Sequence, residues 1–324
     1  MSSIEFFIAA ILIGFVGLIW SADRFVEGSA AIAQHFGMSK LLIGLTIVSL
    51  GTSAPEIVVS TSAALQGAGE LAVGNALGSN LANIGMVLGI TALIAPLPIK
   101  GHILRQELPV LILVTLLAGY LLYDAQLALT DGLILAGSLA LLMFVTFKYK
   151  KSHPSDEGDD IEMPDDMAIK AAIIWFAIGL SVLIASSELL VWGATNTALL
   201  FDVSPLIIGL TVVAIGTSLP ELAATVMSAL KGHHDIAIGN IIGSNVFNLL
   251  AVMAVPGLIA TTALEPQVFS RDYLAMLAIT LLLVLAIFVD YCLGKPGKAR
   301  LGRLVGLLLI SAYGGYYWLL SQSF

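Results

Sequence analysis

Residues 41–60 read LLIGLTIVSLGTSAPEIVVS and residues 206–225 read LIIGLTVVAIGTSLPELAAT, so the chain repeats this stretch at an offset of 165 residues. The same offset relates LAVGNALGSNLANIGMVLGI at residues 71–90 to IAIGNIIGSNVFNLLAVMAV at residues 236–255. Similarity at one fixed offset over two separate stretches indicates that the two halves of the chain are copies of one structural unit.

The composition around these stretches is that of a membrane protein. Of the 324 residues, 58% are hydrophobic and 11% are charged, whereas soluble domains carry about 25% charged residues. The apolar residues come in blocks of about 20, the length that spans a bilayer. They predict ten membrane helices, at residues 4–22, 41–65, 71–95, 104–122, 127–147, 168–193, 205–230, 236–260, 271–291 and 301–321. Residues 23–40 and 194–204 either extend the first and sixth helices or form surface segments.

The basic residues predict the orientation of these helices. With ten spans, 13 of the 14 Lys and Arg residues fall on one face of the membrane, and Arg271 alone falls on the other. The positive-inside rule makes the basic face cytoplasmic, so both termini are expected outside a cell membrane, that is, an inner or plasma membrane. Arg271 matches Arg105 of the first half, one residue off the repeat offset.

The repeat and the span count together predict the fold. Helices 1–5 match helices 6–10, and because five is odd the second copy must enter the membrane from the opposite side. We therefore expect an all-α membrane protein of ten transmembrane helices, built as two inverted-topology five-helix repeats at residues 1–147 and 168–324. Residues 148–167 carry seven acidic side chains and are predicted to form a cytoplasmic linker; a regulatory calcium site without an EF-hand pattern is the alternative.

Each repeat places the motif Gly-Thr-Ser-X-Pro-Glu inside an apolar span, ending at Glu56 and Glu221. A buried ionised carboxylate costs several kcal/mol, and two facing carboxylates also repel each other. Bound cations relieve both penalties, and protonation is the alternative. Pro55 and Pro220 are expected to break their helices and free backbone carbonyls. Carboxylate, hydroxyl and carbonyl oxygens suit sodium or calcium.

The second duplicated motif, Gly-Asn-X-X-Gly-Ser-Asn, adds oxygen-bearing side chains from a neighbouring helix. The full set of candidate metal ligands is Thr52, Ser53, Glu56, Ser79 and Asn83 in the first repeat and Thr217, Ser218, Glu221, Ser244 and Asn248 in the second. Ligation and helix packing are both open for the remaining motif asparagines, Asn75, Asn80, Asn240 and Asn245.

Other polar groups have weaker assignments. Asp23 and Glu188 are expected near helix ends, where they act as interfacial anchors or take part in function. His233, His234 and Asp235 form either a metal site or a solvated loop. No basic patch with interleaved aromatic residues is present, so nucleic acid is not an expected partner. The single cysteine, Cys292, cannot form an internal disulfide.

The paired GTSAPE/GTSLPE and GNALGSN/GNIIGSN motifs resemble the alpha repeats of the calcium/cation antiporter superfamily, and the whole chain is similar to its prokaryotic sodium/calcium exchanger branch. The resemblance implies that helices 2 and 3 of each half surround the ions as a diamond of four. It implies the ten ligands above, with backbone carbonyls near Ser49 and Ala214. It also implies exchange of Ca²⁺ for Na⁺ by alternating access, with helices 1 and 6, expected to be short, sliding across the bundle. No cofactor and no enzymatic reaction are expected.

One position departs from the family pattern. Several sodium/calcium exchangers carry an aspartate where this chain has Asn248, so the site contains two acidic groups rather than three. The coupling ion and the stoichiometry therefore stay open, with Ca²⁺/H⁺ or K⁺-dependent exchange as alternatives. A cation channel is a further alternative, because acidic rings also occur in channels. An intramembrane enzyme is disfavoured, since the spans contain no duplicated His-Glu metal motif and no Ser-His pair. The oligomeric state is not predicted.

Overall fold

The computed structural model of the protein describes residues 3–152, 167–201, 214–293 and 299–322, and nearly all of them are helical. Two helices are interrupted: α2a (Lys40–Thr52) is followed by α2b (Ala54–Leu65), and α7a (Ala214–Thr217) by α7b (Leu219–Leu230). The other helices are α1 (Ser3–His35), α3 (Gly69–Ile94), α4 (Ile103–Leu122), α5 (Leu129–Ser152), α6 (Ile169–Leu200), α8 (His234–Ile259), α9 (Val268–Cys292) and α10 (Arg303–Ser321).

Most of these helices cross a bilayer by length and composition. Within the described ranges, eight helices are long and apolar enough to span a membrane, and α2a with α2b makes a ninth across a 45° bend. The seventh predicted span starts at residue 205, and residues 202–213 lie outside the described part of the chain. Most of the predicted acidic linker, residues 153–166, also lies outside it.

Two short strand pairs tie the repeats together. Strand β1 (Leu97–Pro98) pairs with β4 (Arg300–Leu301), and β2 (Gln126–Leu127) pairs with β3 (Thr262–Ala263). β1 follows α3 and β4 precedes α10, so helices α4 to α9 lie between the two strands. These helices make six crossings only if α7 spans the membrane. An even number of crossings returns the chain to the same face, where the strands can meet. The pairing supports α7 as a full span, in agreement with the predicted all-α, ten-helix architecture.

Both broken helices break at the serine of the glutamate motif. Ser53 has φ −82° and ψ 6°, and Ser218 has φ −89° and ψ 4°, outside the helical region in each case. Pro55 and Pro220 then occupy the first turn of α2b and α7b, where a missing N–H is tolerated but the preceding helix cannot continue. The predicted interruption is therefore present in both repeats.

The centre of the molecule is formed by α2, α3, α7 and α8. α3 and α8 are mostly buried, whereas α1 and α6 expose most of their length. α2b packs against α3, α7b packs against α8, and α8 also contacts α2a of the opposite repeat. Both α3 and α8 contain a π-helical turn, at Asn83–Leu88 and Asn248–Val252, which begins at a predicted ligand. Such turns are frequent at functional sites.

The prediction that helices 1 and 6 are short is wrong. α1 has 33 residues and α6 has 32, which corresponds to about 48 Å at 1.5 Å per residue. The two helices are antiparallel, since Gly28 of α1 faces Phe176 of α6 and the earlier Gly14 faces the later Ser186. They are also close: a Cβ atom on Gly28 would lie 2.5 Å from Phe176 N, and one on Gly14 would lie 2.8 Å from Ser186 O. Small residues allow this close approach between membrane helices.

The extension of α1 and α6 also corrects the placement of two acidic residues. Asp23 and Glu188 lie within the helices rather than near their ends. Asp23 is tolerated inside α1 because Lys231 Nζ lies 2.7 Å from its Oδ1 atom. Glu188 is exposed on the surface of α6.

Candidate functional site

The glutamate motifs of the two repeats meet where α2 and α7 are broken. Ser53 Oγ donates a hydrogen bond of 3.1 Å to Glu221 Oε1 of the opposite repeat. Thr52 Oγ1 donates one of 3.1 Å to Asn240 Oδ1 and lies 3.5 Å from Ser244 Oγ. Side chains of α2 therefore contact both α7 and α8, and the duplicated motifs form one site.

Local structure explains why the acidic residue follows the break. Glu56 and Glu221 occupy the first turns of α2b and α7b. The N-terminal end of a helix carries unpaired N–H groups and a partial positive charge, which stabilise a carboxylate there. Breaking each helix thus creates a new N-terminal end beside the carboxylate.

Both carboxylates are removed from water. Glu56 is 1% exposed and Glu221 is fully buried. In the described part of the chain, no Lys, Arg or His side chain forms an ion pair with either of them. Two buried acidic groups without a basic partner need either protons or cations to be tolerated.

Several buried polar atoms at the site lack an ordinary hydrogen bond. Among the described residues, these are both carboxylate oxygens of Glu56, Oε2 of Glu221, the side-chain amides of Asn83 and Asn248, and the hydroxyl of Ser218. Buried polar groups are normally paired, so a concentration of unpaired oxygens needs an explanation. Their chemistry is that of hard-cation ligands.

The other predicted ligands differ in how much of the side chain is exposed. Ser79 and Ser244 are buried on α3 and α8. Thr217, at the end of α7a, is half-buried, whereas its counterpart Thr52 is fully buried. The Ser49 carbonyl accepts hydrogen bonds from Ser53 N at 2.9 Å and from Thr52 Oγ1 at 3.3 Å. Ala214 is the first described residue of α7a.

The motif asparagines divide into two pairs. Asn75 Nδ2 donates to Ser60 Oγ at 3.0 Å, and Asn240 Nδ2 donates to Thr225 Oγ1 at 2.9 Å, at equivalent positions of the two repeats. Our sequence reasoning missed Ser60 and Thr225, although the retained hydroxyl at the repeat offset was a usable signal. The second pair, Asn80 and Asn245, bridges the repeats, since Asn80 Nδ2 donates to the Asn245 carbonyl at 3.2 Å.

The loop between α7b and α8 does not form a metal site among the described residues. Asp235 Oδ2 accepts a hydrogen bond of 2.8 Å from Lys100 Nζ. Burial, together with the charges of Lys40 and Lys231, lowers the pKa of His233 to about 4. Within the described ranges, no three His, Cys, Asp or Glu side chains converge anywhere. The candidate site is thus made of two carboxylates with hydroxyls and amides.

Comparison with known proteins places the chain in a family. The family model described as sodium/calcium exchanger protein matches residues 6–148 and 171–322. The putative antiporter CaxA of Alkalimonas amylolytica is 45% identical over 97% of this chain and 98% of that protein. The sodium/calcium exchanger MaX1 of Methanosarcina acetivorans is 29% identical over 89% of this chain and 92% of that protein.

A solved structure of the sodium-calcium exchanger NCX_Mj, soaked without Na⁺ and Ca²⁺, superposes with a TM-score of 0.82. It is 30% identical in sequence, and the match covers 98% of this chain and 99% of that chain. These relatives are transporters rather than enzymes. The chain is a multi-pass membrane protein and belongs to the sodium/calcium exchanger family of cation antiporters.

Proposed function

We propose that this protein exchanges Ca²⁺ for Na⁺ across a cell membrane by alternating access, and that Glu56 and Glu221 together bind the transported cation. The hydroxyl and amide side chains predicted as ligands complete the coordination: Thr52, Ser53, Ser79, Asn83, Thr217, Ser218, Ser244 and Asn248. No cofactor takes part in the proposed cycle, and the partners are small inorganic cations.

One observation carries the proposal. Two fully buried carboxylates from opposite repeats share a site, linked by Ser53 Oγ at 3.1 Å from Glu221 Oε1, and three of their four oxygens lack an ordinary hydrogen bond in the described residues. A divalent cation would neutralise both carboxylates at once. Hydroxyl and amide oxygens then supply the remaining ligands that Ca²⁺ requires.

The charge of the site gives the reason for exchange. An empty site holds two carboxylates, and moving it through an occluded, water-free state costs several kcal/mol per uncompensated charge. Loading with one Ca²⁺, or with monovalent ions, removes that cost. Only loaded forms therefore change sides, and Ca²⁺ moving one way requires a counter-ion moving the other way.

The proposed motion belongs to α1 and α6. These helices form an antiparallel pair outside the four-helix core, and their close contact lets them move as one body. Sliding of this pair across the core opens the site to one face at a time. The basic face is proposed to be cytoplasmic, with both termini outside and with residues 148–167 linking repeats 1–147 and 168–324.

Calcium uptake into proteoliposomes tests the roles of the glutamates. Glu56→Gln and Glu221→Gln keep size and hydrogen-bonding capacity but remove charge, so sodium-driven ⁴⁵Ca²⁺ uptake should fall to the level of empty vesicles. Glu70→Gln is the matched control, because Glu70 lies outside the glutamate motifs and its Oε1 accepts a hydrogen bond from the Glu265 backbone at 2.8 Å. Near-normal uptake in either site variant would refute its assigned role.

The same vesicles identify the coupling ion. Sodium, potassium and pH gradients are imposed separately, and we expect the sodium gradient alone to drive accumulation of Ca²⁺. Accumulation driven by a pH gradient would instead assign Ca²⁺/H⁺ exchange, and a requirement for K⁺ would assign K⁺-dependent exchange. Ca²⁺ flux without any opposing ion gradient would indicate a channel.

A further inference from the structure

The Thr52 hydroxyl is surrounded by more acceptors than it can serve. Its Oγ1 atom lies 3.1 Å from Asn240 Oδ1, 3.3 Å from the Ser49 carbonyl and 3.5 Å from Ser244 Oγ. A hydroxyl has one proton and two lone pairs. The group that takes the proton therefore decides whether the lone pairs are available to a cation.

Asn240 is held in the orientation that accepts this proton. Its Nδ2 atom donates to Thr225 Oγ1 at 2.9 Å, which leaves Oδ1 directed at Thr52. Asn240, Thr225 and Thr52 are all fully buried, so water does not compete for these bonds. An amide oxygen only accepts hydrogen bonds, and Thr52 must donate to it.

The first repeat uses the equivalent asparagine differently. Asn75 Nδ2 donates to Ser60 Oγ at 3.0 Å, as Asn240 does to Thr225, but it also lies 3.2 Å from the Glu56 carbonyl within its own repeat. Asn240 instead reaches across to Thr52 of the opposite repeat. The two asparagines thus offer a matched comparison between a cross-repeat contact and a local one.

We propose that Asn240 is a positioning residue for the transported cation: its amide oxygen takes the Thr52 proton and leaves the Thr52 lone pairs facing the cation. Asn240 acts through Thr52 and does not itself contact the ion. The inference rests on the proposed function, because it takes the site between Glu56 and Glu221 to be the cation site. Partners that orient a metal ligand in this way typically change affinity by about 10–100-fold when removed.

Equilibrium binding of ⁴⁵Ca²⁺ to the purified full-length protein tests the proposal by a double-mutant cycle. Asn240→Ala and Thr52→Val should each raise the dissociation constant about tenfold or more. If Asn240 acts through Thr52, the double variant should bind no more weakly than the weaker single variant, because the two changes remove one interaction. The proposal would be overturned if the two fold-changes in the dissociation constant multiplied in the double variant. It would also be overturned if Asn240→Ala left the dissociation constant unchanged.

Three further variants keep the result unambiguous. Thr225→Val preserves the shape of residue 225 but removes its bond to Asn240, which frees the Asn240 amide to rotate. Its effect on the dissociation constant should be non-additive with that of Thr52→Val, as for Asn240→Ala. This variant tests the proposal even if Asn240→Ala fails to fold. Ser60→Ala is its matched control, and its effect should multiply with that of Thr52→Val. Glu221→Gln separates the two levels: normal binding there defeats the proposed function, whereas lost binding with a multiplicative cycle defeats only the role of Asn240.

Discussion

Lys231 Nζ, at the end of α7b, lies 2.7 Å from Asp23 Oδ1 on α1. The same nitrogen lies 2.7 Å from Glu27 Oε1, and Arg24 Nη1 lies 2.9 Å from Glu27 Oε2. This ion-pair cluster joins α1 to the core on the face proposed to be cytoplasmic. At the repeat offset Lys231 corresponds to Gln66, so the equivalent position on the other face carries no positive charge.

We expect the cluster to bias the protein toward the state in which α1 is closed against α7b. Lys231→Gln should then raise the population of states open to the cytoplasm. The groups are partly exposed, so the effect is about 1 kcal/mol or less, or up to about fivefold in apparent affinity. In Lys231→Gln, the ratio of the half-saturating Ca²⁺ concentration at the cytoplasmic face to that at the outer face should be lower than in wild type. Transport assays in vesicles of each orientation measure the two concentrations.

Charge reversal provides the control for this prediction. Asp23→Lys combined with Lys231→Asp restores an attractive pair and should return the ratio of the two affinities toward the wild-type value. Gln66→Ala, at the matched position of the other repeat, should leave the ratio unchanged. An unchanged ratio in Lys231→Gln would show that the cluster does not participate in access.

The hydrogen bond from Ser53 to Glu221 leads to a prediction about stability. Ser53→Ala removes the 3.1 Å hydrogen bond that Ser53 Oγ donates to Glu221 Oε1. Leaving a buried acceptor unpaired costs about 1–3 kcal/mol. In cation-free buffer the variant should therefore unfold at a lower temperature than wild type, and saturating Ca²⁺ should widen the difference, because the proposed ligand Ser53 Oγ is also lost from the cation-bound state.

Ser218→Ala is the matched control, because Ser218 Oγ has no hydrogen-bond partner among the described residues. Its unfolding temperature without cation should stay close to that of wild type. Equal destabilisation by the two alanine variants would contradict the asymmetry between the repeats. A deficit in Ser53→Ala that saturating Ca²⁺ removes would contradict ligation by Ser53 Oγ.

The apolar runs and the duplicated motifs allowed the ten-helix fold and the breaks beside Pro55 and Pro220 to be predicted from sequence, while cation binding by the motif residues stays a prediction. The length of α1 was not predicted, because Asp23, Arg24 and Glu27 end the apolar run at residue 22. Hydropathy treats each of these charges as exposed, whereas in the fold Lys231 pairs with two of them. Its position 204 residues from Glu27 along the chain carries no local signal.

The cross-repeat contacts were also beyond sequence reasoning. Spacing within a helix shows that Thr52 and Glu56 lie on one side of it, but it does not show which side chain of the inverted copy faces them. Asn240 and Asn75 occupy equivalent positions in sequence, yet only Asn240 has a described hydrogen bond to the glutamate motif of the other repeat. That difference arises from how the two copies pack.

The two-carboxylate composition of the site predicts the effect of a third acid. Asn248 is fully buried and neither of its amide atoms has a hydrogen-bond partner among the described residues. Asn248→Asp adds a charge whose attraction to a divalent cation 4 Å away is about 8 kcal/mol at an effective dielectric constant of 20, before desolvation. At alkaline pH, ⁴⁵Ca²⁺ affinity should rise on the order of tenfold.

The added carboxylate also introduces a pH dependence. One Ca²⁺ no longer neutralises three acids, so the loaded site should take up a proton or a second cation. The gain in affinity should therefore disappear as the pH falls and the introduced carboxylate is protonated. Asn83→Asp is the matched change in the first repeat, and it should have the same effect if both amides face the ion. If neither variant gained affinity for ⁴⁵Ca²⁺, these amides would lie outside the coordination shell.

The single cysteine makes the proposed orientation testable without engineering. Cys292 is exposed at the end of α9, and β4 and the first residue of α10 follow it in the chain. This end of α9 lies on the face that is predicted to carry most of the basic residues. A membrane-impermeant maleimide should label it in inverted membrane vesicles and leave it unmodified in spheroplasts. Ser321→Cys in a Cys292→Ser background lies at the far end of α10 and should give the reverse pattern, because one membrane span separates the two sites. Labelling of both positions from the same side would remove α10 as a crossing helix, and labelling of Cys292 in spheroplasts alone would invert the molecule in the membrane.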